Sequence, residues 1–222
     1  MPVESIVLTP RLLAAAELVP PGARTADVGT DHGYLPVWLR KRGICETVVA
    51  TDIRPGPLEA ARASLRRYGV TGVELRLCAG LAGVRPEEAD AVVIAGMSGE
   101  TIREILAEAR WDWTGKRLIL QPMTKRPELL AWLYANGLHL REERLVREGE
   151  RLYWVLCAEA GEAPMPRPAH LAAGFTETEY AHRLYRRLEK ALAGLRRARE
   201  KDEAEEDRLL TLLEDMKDAY GW

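Results

Sequence analysis

Ala26-Asp-Val-Gly-Thr-Asp-His-Gly-Tyr-Leu-Pro36 is the stretch whose reading decides the fold. The run from Arg24 to Gly29 is a short strand that closes on an acid and a glycine. Strands of an open α/β sheet end this way where they meet a ligand crevice. Asp31, His32 and Tyr34 follow at once, placing titratable and aromatic side chains on the turn beyond the strand. The segment therefore marks where a ligand sits and where chemistry is possible.

Working outward, strand-like and helix-like runs alternate. The pattern predicts strands over Thr47–Asp52, Val73–Leu77, Asp90–Ala95 and Arg117–Gln121. It predicts helices over Tyr34–Arg42, Pro57–Tyr68, Glu100–Ala109 and Glu128–Asn136, the last capped by Gly137. The unbroken Ala-Val-Val-Ile-Ala run of 91–95 implies a strand buried on both faces. Alternation of this kind implies a parallel sheet with right-handed crossovers. After Gly137 the pattern changes. Leu138–Arg147 and Arg151–Glu159 flank Glu148-Gly-Glu150 and read as a β-hairpin. Gly161–Gly174 carries three prolines and reads as a linker or a wrapped connection. From Thr176 to Tyr220 leucines recur at helical spacing, as two helices folded back on each other or one long helix, the hairpin being preferred. The expected organisation is an α/β domain at 1–160 and a helical, coiled-coil-like hairpin at 161–222.

The chain has 222 residues, 47% hydrophobic and 30% charged, enough for a sizeable core and a small appendage. No apolar run is long enough to span a bilayer, and residues 1–10 do not read as a signal peptide. The cysteines, Cys45, Cys78 and Cys157, are odd in number and scattered, arguing against a disulfide framework and against a metal site. A cytoplasmic monomer without metal is the expectation. Net charge is −2, yet a basic block over 183–199 stands directly before an acidic one over 200–207. Arg183, Arg186, Arg187 and Lys190 share one side of a helix, as a solvated face or as a stripe that contacts phosphates.

Gly29 is not followed by the second glycine that cradles a pyrophosphate, and Asp27 would repel one. The crevice therefore suits a cofactor without phosphates, such as S-adenosyl-L-methionine, whose ammonium Asp27 would attract. Asp52 ends the second strand and is placed to accept hydrogen bonds from ribose hydroxyls, unless it only starts the turn before Pro55. Ala95-Gly-Met-Ser-Gly99 ends the fourth strand as a tight turn or as a floor for a flat substrate. Gln121 ends the fifth with a donor and an acceptor.

On these residues the chain resembles the bacterial TrmK family, tRNA (adenine-N1)-methyltransferases acting on adenine 22. The resemblance runs from Thr9 to Glu159 and is carried by Thr9-Pro-Arg-Leu12, Asp27–Pro36, Ala95–Gly99 and Leu120-Gln-Pro122. It implies a Rossmann-like methyltransferase sheet ending in an antiparallel hairpin, and a helical tail. It implies that Asp27, Gly29 and Thr30 hold the methionine part of S-adenosyl-L-methionine and that Asp52 and Ile53 lie at the ribose. Ala79, Gly80, Ala95 and Gly96 complete the cofactor wall. Asp31, His32 and Tyr34 would face the target adenine, with Met97 near the transferred methyl and Gln121 beside it. Arg11 and the stripe Arg183, Arg186, Arg187 and Lys190 would meet tRNA. Three positions depart from the family pattern: Ala79 replaces an acid, Ser98 a glycine and Met123 an asparagine. A catalytically weakened RNA-binding member and a small-molecule methyltransferase are the alternative readings.

Overall fold

The computed structural model describes residues 5–176, 178–198 and 202–222. Its centre is a seven-stranded sheet of β1 (Thr25–Val28), β2 (Val48–Asp52), β3 (Val73–Leu77), β4 (Ala91–Met97), β5 (Arg117–Pro122), β6 (Leu138–Glu148) and β7 (Arg151–Ala160). The strand order is β3-β2-β1-β4-β5-β7-β6, parallel except for β7, which runs antiparallel to both β5 and β6. The sheet thus ends in the expected hairpin, inserted so that the later strand lies inside. Strand order reverses between β1 and β4, which opens a crevice beyond their carboxyl ends.

Helices cover both faces. α1 (Pro10–Ala16), α2 (Tyr34–Lys41) and α3 (Pro55–Tyr68) lie on one side, and α4 (Gly99–Ala109) and α5 (Arg126–Ala135) on the other. On β4, Ala91 and Val93 enter the α1–α2 layer while Val92 and Ile94 enter the α4–α5 layer, all of them buried. That two-sided burial is why the strand carries no polar alternation. Gly137, with φ +70°, ends α5 as expected.

Two features depart from the sequence reading. α1 was not expected; Pro10 at its first turn and Thr9 before it are the start signals that mark it. Gly161–Gly174 is no bare linker, because α6 (Pro168–Ala173) forms within it and packs on α5. The tail continues as α7 (Glu179–Arg197) and α8 (Glu203–Tyr220). Leu192 packs with Leu209 and Leu213, and Ala181 and Leu184 pack with Met216, so the helices form an antiparallel hairpin. Glu177 and residues 199–201, including Arg199 of the basic block and the start of the acidic one, lie outside the described residues.

The tail docks on the sheet domain through a buried ion pair. Arg126, at the start of α5, donates to Glu143 Oε2 on β6 at 2.5 Å, with side chains 6% and 13% exposed. The same guanidinium donates to the carbonyls of His170 and Leu171 at 3.2 and 2.7 Å and lies 4.4 Å from the centre of the Trp154 ring. Glu143 Oε1 accepts from the Phe175 amide at 2.7 Å. Among the described residues no helix is long and apolar enough to cross a membrane.

Candidate active site

The carboxyl ends of β1, β2 and β4 and the loop after β3 enclose a cavity of about 760 Å³. That lies within the usual range for small-molecule sites. Asp27 is at its floor, 5% exposed, with Ala50 and Val93 as register partners. Burial pushes the Asp27 carboxyl up to about 6, and the negative charge of Asp52 adds to the rise. Asp27 Oδ2 and Thr30 Oγ1 are both buried without a hydrogen-bond partner among the described residues. Buried polar atoms are rarely left so. A cationic group with N–H donors would satisfy them, and the ammonium of S-adenosyl-L-methionine is such a group.

The opening segment turns sharply beyond β1. Gly29, Asp31 and Gly33 all have positive φ, at +75°, +51° and +69°. The φ of Gly29 is what favours glycine there; an added Cβ would also meet the methyl end of the Met97 side chain, which can move aside. The turn carries Asp31, His32 and Tyr34 out to the rim. Asp31 and His32 side chains are 64% and 54% exposed, their Oδ2 and Nε2 lie 3.7 Å apart, and the His32 and Tyr34 rings stack at 5.5 Å. The predicted trio is therefore together, open to solvent and able to meet a large substrate.

Asp52 is buried at the end of β2, where its Oδ1 accepts from the Arg54 amide at 3.0 Å and Oδ2 from the Asp31 amide at 3.4 Å. A carboxylate has further lone pairs, so it keeps capacity for a ligand hydroxyl. Ile53 is 68% exposed over the same opening. Ala79 and Gly80 form the facing wall, braced by the Thr51 hydroxyl donating to the Gly80 carbonyl at 2.9 Å. The Cys78 amide donates to the Asp52 carbonyl at 3.1 Å. Ala79 presents a methyl where the family pattern has an acid, while Thr101, Glu104 and Glu108 of α4 line the same cavity.

Gln121 lines the cavity from the end of β5. Its side chain is fully buried, Oε1 accepting from the Gly96 amide at 3.1 Å and Nε2 donating to the Pro122 carbonyl at 3.2 Å. Oε1 thus holds the Ala95-Gly-Met turn, while Nε2 ties back to the end of β5. Ser98 caps α4, accepting from the Thr101 amide at 3.1 Å. Met123 is 38% exposed just beyond β5. Arg11 also lines the cavity, held by Glu148 at 2.5 Å and stacked 5.1 Å over Tyr153. The stripe Arg183, Arg186, Arg187 and Lys190 is exposed on α7, away from this cavity, and Arg183 pairs with Glu179 at 2.6 Å. Sequence reasoning missed Thr51, Cys78 and Ile105 as lining residues. Thr51 was findable as the neighbour of Asp52 at a strand end; Ile105 looks like any apolar position of α4. Among the described residues no cluster of His, Cys, Asp or Glu is arranged to hold a metal.

Residues 8–156 match the methyltransferase-domain family. The tRNA (adenine(22)-N(1))-methyltransferase of Bacillus subtilis is 38% identical over 157 residues, which are 70% of this chain and 66% of the relative. The chain thus spans just under two thirds of that relative's length. The crystal structure of Bacillus subtilis TrmK superposes with a TM-score of 0.88 at 27% identity, covering 97% of this chain and 99% of that one. Streptococcus pneumoniae Sp1610 in complex with S-adenosyl-L-methionine superposes with a TM-score of 0.81 at 28% identity, covering 94% and 97%. The family match, the identity to the Bacillus subtilis enzyme and the superposition over nearly the whole chain, helical tail included, place the chain in the TrmK family of methyltransferases.

Proposed function

We propose that the chain methylates N1 of adenine 22 in tRNA, with S-adenosyl-L-methionine as methyl donor. One observation carries the reading: a buried, partnerless carboxylate oxygen on Asp27 lies at the floor of a cavity whose rim holds Asp31, His32 and Tyr34 in solvent. The floor fits a small cationic cofactor, and the open rim fits a macromolecular substrate. Residues 1–160 then carry methyl transfer and 161–222 help to hold the RNA, in the cytoplasm where tRNA is found.

When bound, S-adenosyl-L-methionine supplies a methyl group on a positively charged sulfur, which the N1 lone pair of adenine takes. Asp27 and Thr30 hold the amino-acid end, Asp52 accepts from the ribose, and Ile53 and Ala79 flank the adenine ring. Gln121 fixes the Gly96 amide and thereby the path of Met97. Adenine N1 is on the pairing edge, so the target base must leave its stack. The Tyr34 ring, already stacked on His32, offers a face for the extruded base. Positive charge grows on the base as N1 is alkylated, and Asp31 opposes it and accepts the proton the exocyclic amine gives up.

The test is a methylation assay on unmodified tRNA, with the product mapped by reverse-transcription stops. A stop at adenine 22 is expected. Asp31→Asn lowers kcat strongly at unchanged cofactor affinity; wild-type turnover in that variant removes Asp31 from the chemistry. Ala79 favours a second reading, RNA binding without turnover, because its methyl cannot accept from the cofactor's adenine amino group. Calorimetry decides it: absence of binding at millimolar S-adenosyl-L-methionine supports the second reading.

A further inference from the structure

A second cavity, of about 710 Å³, lies between the sheet domain and the helical tail. Tyr153 and Trp154 of β7 and Tyr180 of α7 line it, together with Arg151 at the start of β7 and Arg187 on α7. The two arginines are exposed, and neither has an acidic or hydrogen-bonding side-chain partner among the described residues. The lining acid Glu128 is engaged by Lys125 at 3.3 Å. Two uncompensated guanidinium groups in a cavity also lined by aromatic rings make a composition suited to unpaired nucleotides, with phosphates taken by the cations and a base by a ring face.

Position adds to composition. Arg11 lines the first cavity, and its guanidinium stacks on Tyr153, which lines the second. Gln121 lines the first and its neighbour Pro122 the second. The two cavities therefore share a partition, and a strand whose target base enters one passes over the other.

We propose that this second cavity holds the nucleotides flanking the target adenine, with Arg151 and Arg187 on backbone phosphates from opposite walls and Tyr153 against a neighbouring base. This rests on the tRNA reading above. It also divides the α7 stripe: Arg187 lines the cavity, whereas Arg186, Arg183 and Lys190 do not. Backbone contacts of this kind position the RNA without reading its sequence.

The experiment measures binding of unmodified tRNA by the full chain across a salt series, with S-adenosyl-L-methionine affinity as the control for folding. Arg151→Ala and Arg187→Ala should each weaken tRNA about tenfold and flatten the salt slope by about one, at unchanged cofactor affinity. Tyr153→Leu should weaken binding without altering the slope. Arg186→Ala should have the smaller effect. Wild-type tRNA affinity in the Arg151→Ala/Arg187→Ala double variant overturns the proposal while leaving the functional reading standing. Failure of the unaltered chain to bind tRNA at all overturns both.

Discussion

Arg126→Met tests the account of how the tail is held. Methionine keeps much of the apolar stem against Trp154 but removes the charge and all donors. The change strips Glu143 of its partner while its side chain is only 13% exposed, and it leaves the carbonyls of His170 and Leu171 without the donors now at 3.2 and 2.7 Å. Breaking a buried pair from one side costs about 3–5 kcal/mol, most of it the stranded charge. Each orphaned carbonyl that finds no water adds about 1 kcal/mol or more. The expected loss is about 4 kcal/mol, roughly a thousandfold in the folding equilibrium, unless the tail undocks first and rewets the site. Urea unfolding with Trp154 fluorescence reads both outcomes, as a lower midpoint or as a separate early transition. Arg126→Met/Glu143→Leu removes the stranded charge and should regain more than half of the loss. A single-variant loss below about 1 kcal/mol, or a double variant no better than the single, refutes the reasoning.

Four further outcomes are expected. Asp27 must ionise to hold an ammonium, so cofactor affinity measured by calorimetry should fall by about tenfold per pH unit below about 6 and stay flat above it, and Asp27→Asn should abolish that limb. The same raised value means that the cofactor-free protein is stabilised by a protonated Asp27 at low pH and loses about 3 kcal/mol of that contribution as pH rises from about 4 through 6, an effect Asp27→Asn should erase in urea titrations at pH 4 and 7.5, which span most of it. Gly29→Ala introduces a Cβ at φ +75° against the Met97 methyl, and should cost about 1–2 kcal/mol from the backbone alone plus loss of cofactor binding, with Met97→Ala restoring the packing share only. Ser98→Ala removes the α4 cap and should cost about 1 kcal/mol by thermal unfolding, with cofactor affinity unchanged.

Much of the architecture was legible because its cues are local. The two-sided burial of β4 shows as an unbroken apolar run, and the turn after β1 shows as glycines among polar residues. Strand order β5-β7-β6 was not legible beyond the hairpin itself, since which hairpin strand lies inside depends on packing between distant segments. α1 was overlooked because its apolar residues sit in a short, alanine-rich stretch, although Thr9-Pro10 marks its start. In the site, Asp27 and the Asp31–Tyr34 rim were readable from position at a strand end. The supporting role of Gln121 was not, because a buried amide and a substrate-facing amide look alike until its partner Gly96 is known. Nor was the ion pair of Arg126 and Glu143: each sits among other charges, and only the tertiary fold takes both out of water.

The insertion of β7 between β5 and β6 has a consequence for the order of assembly. β6 is made first yet has no place on β5, so Leu118, Ile119 and Leu120 present an open apolar edge until residues 156–158 arrive. The β6–β7 ribbon, closed by a two-residue turn at Gly149 and Glu150, can form alone within microseconds and add to β5 as a unit. Only then does Glu143, carried by β6, meet Arg126 and give the tail its anchor. The nascent chain is thus expected to assemble its cofactor crevice before the clamp that fixes its helical tail. A chain stopped near residue 137 would keep a bare sheet edge and aggregate. Pulse-labelled hydrogen exchange should find the β6–β7 amides protected before those of α6; protection of α6 first would exclude this order.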